Sequence, residues 1–443
     1  MMKRFLKILA ACLAACMLFA CAFGCAESGQ EEPGDGPADP TYPEAPVLDS
    51  TTDYRTIDKS YLFGMGELTS DTMPGAGEPS ITNEYAAKMS GAFGVTSQRV
   101  WMHHPNVLVR ADDSDELTLN EAVCDEYHDY FARLEENGVE RILVMNHQFI
   151  LPYDYHSQDA QTMPDPWGGE YDFYARTLRI WENAYTLLAE EFPEITYWEV
   201  GNEFDMESGN FLHKAGWTGA GDGEHIFTQS EAAYITADLC WYANRGLKSV
   251  NPASVTVFPG ASLNSQTATY FGLVYSTIGS KMVPTLEEFY DPDPDHYFQI
   301  LAWHPYPNTS VDSVINQCNA VYRIVEENGD GDKKVWFTES GFSNQRYWGV
   351  TDDSDAYIAE MYPEFLDAVN ELDYVESIFL FRLSNCYAYN NTDFERNFGL
   401  TYSPDDPVNK GAPKPAGLAV FSYFNGEEAD PSPLYWYANG SVA

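Results

Sequence analysis

Two segments of the chain place a glutamate where a short apolar run gives way to polar residues. One reads Tyr197-Trp198-Glu199-Val200-Gly201-Asn202-Glu203-Phe204, the other Val335-Trp336-Phe337-Thr338-Glu339-Ser340-Gly341-Phe342. A carboxylate on so apolar a stretch is costly to bury unless it is paired or used. Two of them facing one another can cleave a glycosidic bond, one protonating the leaving oxygen and the other attacking the anomeric carbon. Taken singly, each glutamate is equally readable as the partner of a basic residue in a structural ion pair.

The elements that must bring Glu203 and Glu339 together follow from hydropathy. Apolar runs rich in Val, Ile, Phe and Trp predict strands over 61–66, 97–103, 141–147, 196–202, 254–259, 299–305, 334–339 and 376–384. Continuous apolar stretches of this kind suit strands buried on both faces. Helical patterns follow over 81–93, 119–137, 172–191, 230–250, 267–278, 311–328, 355–372 and 415–424, several ending at Gly or before Asn-Pro. Eight strand–helix pairs in order imply a parallel sheet with crossover helices, closed as an α/β (β/α)8 TIM barrel in a single domain. An open doubly wound sheet is the rival, but no Gly-rich phosphate loop follows the first strand. Barrel enzymes carry their reactive groups at the C-terminal ends of the strands, which is where both glutamates fall.

Asn202-Glu203 at the end of strand four and Glu339 at the end of strand seven resemble the retaining glycoside hydrolases of clan A, which share the (β/α)8 fold and include cellulase-like and β-xylosidase-like enzymes. The resemblance spans about residues 55–425. It implies that Glu203 is the acid/base, Glu339 the nucleophile and Asn202 the amide that bonds the sugar 2-hydroxyl. It also implies that Arg99 keeps the nucleophile ionised and that His304 and Tyr306, in Trp303-His304-Pro305-Tyr306, lie near both carboxylates. His147 ends strand three, where some members carry a substrate-contacting histidine; His103 and His104 end strand two and are expected at the same mouth. Elementary electrostatics agrees. Arg99 would lower the pKa of Glu339, while desolvation and the charge of Glu339 would raise that of Glu203. Strand eight departs from the clan: Phe379-Leu380-Phe381-Arg382-Leu383-Ser384 holds no Trp for the sugar platform. Phe381, or an aromatic from another loop, is the expected substitute, and Arg382 there is compatible with an anionic sugar.

The 68 acidic residues stand against 24 basic ones, a net charge of −44. So acidic a chain is repelled by nucleic acid and by anionic membrane surfaces. The expected partner is an oligo- or polysaccharide, with no cofactor and no metal. Aromatic content of 15% suits a large core or a sugar-stacking groove. Residues 1–25 read as a lipoprotein-type signal peptide: Lys3, Arg4 and Lys7, an apolar run, then cysteines at 12, 16, 21 and 25. Residues 26–50, rich in Glu, Asp, Gly and Pro, read as a disordered linker. Residues 51–443 form the catalytic domain. The expected location is extracytoplasmic, lipid-anchored at the cell membrane or secreted.

Cys124, Cys240, Cys318 and Cys386 lack metal-like spacing and read as buried free thiols. Acidic clusters at 112–116, 291–295, 330–332 and 352–355 fit no EF-hand loop and read as solvated loops. Trp167 and Trp217, in the loops after strands three and four, are candidates for sugar stacking. Two other functions are rivals: a non-catalytic glycan-binding lipoprotein, which would keep the aromatics but need not keep both glutamates, and a transglycosidase on the same barrel, which the same residues serve.

Overall fold

The computed structural model describes residues 61–63, 82–278, 291–307, 310–344, 354–385 and 397–439. The chain divides into Met1–Glu44 and Ala45–Ala443, and every described element belongs to the second unit. The expected signal peptide and linker lie outside the described residues.

Eight strands form one sheet: β1 (Tyr61–Phe63), β2 (Ser97–Trp101), β3 (Arg141–Met145), β4 (Tyr197–Glu199), β5 (Val255–Val257), β6 (Ile300–Ala302), β7 (Lys334–Ser340) and β8 (Val375–Leu380). Their order around the sheet is β1-β8-β7-β6-β5-β4-β3-β2, with every pairing parallel. β1 and β2, the two ends of that order, lie beside one another and bring the sheet round into a barrel. A helix follows each strand: α1 (Asn83–Phe93), α2 (Glu121–Glu136), α3 (Tyr171–Glu191), α4 (Gln229–Val250), α5 (Thr267–Ile278), α6 (Val311–Glu327), α7 (Ser354–Asn370) and α8 (Pro415–Asn425). The molecule is the expected (β/α)8 barrel.

Strand residues alternate between two cores because successive side chains point to opposite faces. Leu143, Val255, Val257, Ile300, Ala302, Trp336 and Phe379 fill the barrel interior, with Tyr197 against them. The Arg141 guanidinium lies 5.7 Å from the Tyr197 ring and 5.5 Å from the Trp336 ring, at the start of the strands. The opposite faces pack under the helices. α3 and α4 approach closely because Gly246 has no side chain; a Cβ there would lie 2.4 Å from the Glu182 carbonyl oxygen. α4 opens on a capping box in which Thr228 and Glu231 satisfy one another's backbone N–H, and such a cap is worth about 1 kcal/mol.

β7 runs one residue longer than hydropathy predicts, whereas β2 to β6 and β8 are shorter, mostly at their C-terminal ends. There the backbone leaves the regular ladder and continues as single bridges, Asn202 with Gly260 and Ala261 with Trp303. Asn202, Glu203, His304 and Tyr306 follow these opened ends, whereas Glu339 lies on β7 itself and Arg99 in the middle of β2. Between β2 and α2 the chain adds a one-turn helix, His104–Val107, and an antiparallel hairpin of Leu108–Arg110 with Leu117–Leu119. The helix expected from 119 therefore starts at Glu121.

Cys124, Cys240 and Cys318 are buried free thiols, and burial raises the pKa of each; Cys386 lies outside the described residues. One acid in each of three acidic clusters pairs with a protein cation. Arg176 donates to Asp115 at 2.7 and 2.9 Å, and Lys333 bridges Asp295 and Asp330. Asp355 accepts from Asn344 and Tyr402; residues 352–353 lie outside the described residues.

Candidate active site

Arg99 is the hub of the barrel mouth. It points inward from the middle of β2 and is 1% exposed, so each of its donors needs a partner. Its Nε donates to Glu199 Oε2 at 2.5 Å, Nη1 to Glu339 Oε1 at 2.6 Å and Nη2 to Asn202 Oδ1 at 2.9 Å. β2, β4 and β7 are thereby tied together by one guanidinium. The planar fork of arginine, with donors on three nitrogens, is what permits three simultaneous acceptors.

Glu339 uses both oxygens. Oε1 takes the Arg99 bond, and Oε2 accepts from the Tyr306 hydroxyl at 2.7 Å. His304 Nδ1 stands 3.6 Å from Oε2. Burial pushes the Glu339 carboxyl up, but the positive charges of His304 and Arg99 and the bonds from Tyr306 and Arg99 outweigh it, leaving it below the ordinary glutamate value. Glu203 moves the other way. Burial raises its pKa and the charge of Glu339 adds to the rise, while the hydrogen bond with His304 opposes it. One oxygen of Glu203, one of Glu339 and a ring nitrogen of His304 all lie within 4.8 Å of one another.

The backbone that presents Glu203 is unusual. Glu203 has φ 46°, in the left-handed region that a side chain with Cβ rarely occupies. Its N–H donates to the Gly260 carbonyl at 2.8 Å, which fixes the turn against the loop after β5. Asp205 completes that anchor by accepting from Ser262 N at 2.9 Å and Ser262 Oγ at 3.0 Å. Gly260 also clears space for His304, since a Cβ there would fall 2.0 Å from Nε2. His304 is fully buried, with Nδ1 2.8 Å from Glu203 Oε1 and Nε2 3.1 Å from Thr338 Oγ1. Burial lowers its pKa, but the charges of Glu339 and Glu203 overcome this and the net shift is upward.

Four of the expected residues, Arg99, Asn202, His304 and Tyr306, therefore join Glu339 and Glu203 in one hydrogen-bonded cluster. His103 and His147 do not bond either glutamate among the described contacts. They pack with Trp101, which lies two residues beyond Arg99 on β2: ring centroids are 5.8 Å apart for Trp101–His103, 4.9 Å for Trp101–His147 and 5.5 Å for His103–His147. The Arg99 guanidinium carbon is 5.9 Å from the Trp101 ring. Trp101 Nε1, His103 Nδ1 and His147 Nδ1 are buried without a protein partner. Burial lowers the His103 pKa to about 4 and that of His147 well below normal, so both rings are neutral. His104 is a correction. It points away from the mouth and packs on Trp181 and Tyr185 of α3, at 4.9 and 5.2 Å, because the chain turns into a helix at that residue.

Three contributors escaped the sequence reading: Glu199, Asp205 and Thr338. Glu199 had a signal, being a carboxylate within a three-residue strand otherwise made of rings. At strand eight, Phe381 stands 6.2 Å from Tyr306 and 5.2 Å from Phe398, and Phe398 stands 5.3 Å from Tyr306. These rings form an aromatic wall next to the hydroxyl that bonds Glu339. The Phe381–Arg382 peptide is cis, and the Arg382 guanidinium lies over the Phe381 ring at 5.5 Å. Trp167 is 43% exposed beside Phe227 and Tyr234, whereas Trp217 stacks on His213 at 4.5 Å. Among the described residues, Glu203, His304 and Glu339 are the group that could bracket a cation. Both oxygens of Glu339 are already engaged by Arg99 and Tyr306.

Known proteins share this architecture. Residues 261–400, from the loop after β5 to beyond β8, match the family model described as the glycosyl hydrolase catalytic core. None of the curated proteins matches the sequence. Among solved structures, a family 39 glycoside hydrolase from the gut symbiont Bacteroides cellulosilyticus WH2 is 14% identical with TM-score 0.50, covering 77% of this chain and 60% of its own. The chain thus spans about three fifths of that protein's length. A glucosidase from Croceicoccus marinus is 15% identical with TM-score 0.51, covering 83% of this chain and 68% of its own. A β-glucosidase from Thermotoga maritima, in complex with azafagomine, is 12% identical with TM-score 0.50, covering 84% of this chain and 98% of its own. At these identities the structures speak for the (β/α)8 fold. The catalytic-core model lies over the ends of β6, β7 and β8 inside that fold, so this stretch of the chain is similar to a glycosyl hydrolase catalytic core.

Proposed function

We propose that the enzyme hydrolyses a β-linked glycan by retaining double displacement, with Glu203 as acid and then base and Glu339 as nucleophile. One observation carries this reading: the nearest carboxyl oxygens of the two glutamates lie within 4.8 Å. Retaining enzymes hold their carboxyl groups about 5–5.5 Å apart, whereas inverting ones leave about 6.5–9.5 Å for a water. The pKa directions fit the same division of labour, Glu203 raised and Glu339 lowered.

In the first step Glu339 attacks the anomeric carbon while Glu203 passes its proton to the departing oxygen. Esterification removes the negative charge of Glu339, so the Glu203 pKa falls and the carboxylate takes a proton from the water that attacks the anomeric carbon and displaces Glu339 as a free carboxylate. Asn202, oriented by Arg99, suits the 2-hydroxyl. The unpartnered nitrogens of Trp101, His103 and His147 suit further sugar hydroxyls, and the Phe381–Phe398 wall suits the apolar face of a ring. The test is the anomeric configuration of the first-formed product from an aryl β-glycoside, followed by NMR. Retention supports the mechanism and inversion rules it out. Trapping with a 2-deoxy-2-fluoro glycoside should add one sugar mass to the peptide holding Glu339. Product analysis with acceptor sugars separates hydrolysis from transglycosylation.

The N-terminal 25 residues support a second part of the proposal, export and lipid anchoring. Lys3, Arg4 and Lys7, the apolar run and its cysteines are the features that carry it. Incorporation of a labelled fatty acid into the full chain, abolished by substituting the modified cysteine, tests it.

A further inference from the structure

The proposed chemistry uses two glutamates, yet the cluster holds a third that neither role explains. Glu199 is fully buried, and its only described partners are Arg99 Nε, at 2.5 Å from Oε2, and Gly260 N, at 3.1 Å from Oε1. A carboxylate isolated from water in this way is expensive, and an apolar residue of similar volume in a barrel interior is often as stable or more so. Its position has a geometric consequence. An arginine fork has a Nε edge and two terminal nitrogens. With Glu199 on the Nε edge, Nη1 and Nη2 are left directed at Glu339 and Asn202. Through Gly260, Glu199 also reaches the loop whose carbonyl fixes Glu203.

We propose that Glu199 is a positioning residue of the active site, holding Arg99 by its Nε edge and dividing the guanidinium charge between two carboxylates so that Glu339 stays ionised yet basic enough to attack. Without Glu199 the full charge of Arg99 would fall on Glu339 alone. That would make a tighter ion pair and a weaker nucleophile. The charged and titratable groups around this unit are Arg99 from β2, His147 from the end of β3, Tyr185 from α3, Glu203 after β4, and His304 and Tyr306 after β6. Each of these is present in both the native protein and the variants below, so a difference between them reports Glu199.

The inference rests on the retaining reading, and the experiment separates the two. Glu199→Gln keeps the shape and the acceptor for one of the two N–H donors, Arg99 Nε or Gly260 N, turns an amide NH2 toward the other, and removes the charge. Expected is a ten- to hundredfold fall in kcat/KM for aryl glycosides (an order-of-magnitude range), with the acidic limb of the pH profile moved to lower pH. Glu199→Asp, which keeps a retracted charge, should show a smaller shift in the same direction. Carbon-13 NMR of carboxyl-labelled glutamate, with Glu339 assigned through Glu339→Gln, should show Glu339 titrating at lower pH in Glu199→Gln than in the native protein. Folding is checked by thermal melting, and if the Gln variant does not fold the Asp variant is read in its place. An acidic limb and a Glu339 titration that stay put in a folded variant overturn the proposal, even if the rate falls. The NMR readout needs no substrate. It therefore tests Glu199 even if native protein hydrolyses nothing, an outcome that would count against the retaining reading alone.

Discussion

His304 Nδ1 lies 2.8 Å from Glu203 Oε1, with the imidazole fully buried and the carboxyl mostly so. An imidazole and a carboxyl at that distance share one proton, and the same nitrogen is 3.6 Å from Glu339 Oε2. His304 thus links the protonation of the two glutamates. Replacing it with an uncharged residue removes an attraction that lowers both carboxyl pKa values. His304→Asn is expected to move both limbs of the kcat/KM pH profile upward and to slow turnover by about tenfold or more. A profile at the native position would show that the imidazole has only a packing role.

Glu339→Gly should reduce hydrolysis to background. Azide should restore it, because a small anion can enter where the carboxylate stood, and the glycosyl azide should have the configuration opposite to the substrate. Polarimetry or NMR of that product decides. Restored turnover with no azide adduct would remove Glu339 from the nucleophile role.

Glu203→Ala should spare substrates whose leaving group needs no proton. With poor leaving groups, kcat/KM should fall on the order of 10²–10⁴-fold, the usual range for general acid catalysis. The basic limb of the profile should vanish with it, since a raised carboxyl pKa is what defines that limb. Equal losses across a leaving-group series would be the contrary result.

Arg99→Met leaves Glu199 and Glu339 buried without their cation. Breaking a buried ion pair from one side costs about 3–5 kcal/mol. The variant should melt at a clearly lower temperature, and the surviving folded fraction should show its acidic limb at higher pH. That direction is opposite to the one expected for Glu199→Gln, so the two variants bracket the electrostatics of the hub.

Lys414, at the start of α8, is 1% exposed and donates to Asn344 and Asn385, which follow β7 and β8. Burial lowers its pKa to about 7, against an ordinary value of 10.5. Between those values the unfolded chain binds more protons than the folded one, so this residue's contribution to stability rises with pH. The melting temperature of native protein relative to Lys414→Met should increase from about pH 7 toward pH 10 and be level below pH 7. A constant difference would mean that the ammonium stays charged inside.

The architecture was legible because it rests on repetition. Eight apolar runs, each followed by a helical pattern, admit few arrangements, and strands buried on both faces announce themselves as continuous Val, Ile, Phe and Trp. The two glutamates stood out for the converse reason, as charges where those runs end. Arg99, Asn202, His304 and Tyr306 carry little meaning in isolation. They were found through the resemblance of their segments to clan A enzymes. Other residues depended on facts that hydropathy does not hold. His103 and His104 are neighbours of identical chemistry, yet one lies with Trp101 and the other behind the sheet against α3, because the backbone turns between them. Phe398 joins Phe381 beside Tyr306 from a loop beyond strand eight, across a distance in sequence that no local pattern spans.

By itself, then, the order of residues determined the barrel and singled out two acidic side chains at strand ends. Periodicity is a local property, and solvent exclusion acts on it directly. Which partners each charge keeps was decided only when the strands closed. Glu199 and Glu339 bear the same charge at similar strand ends, and nothing along the chain says that both bind one guanidinium from β2. Their difference comes from the direction of three bonds around Arg99 and from the nearness of His304, which are properties of the assembled mouth.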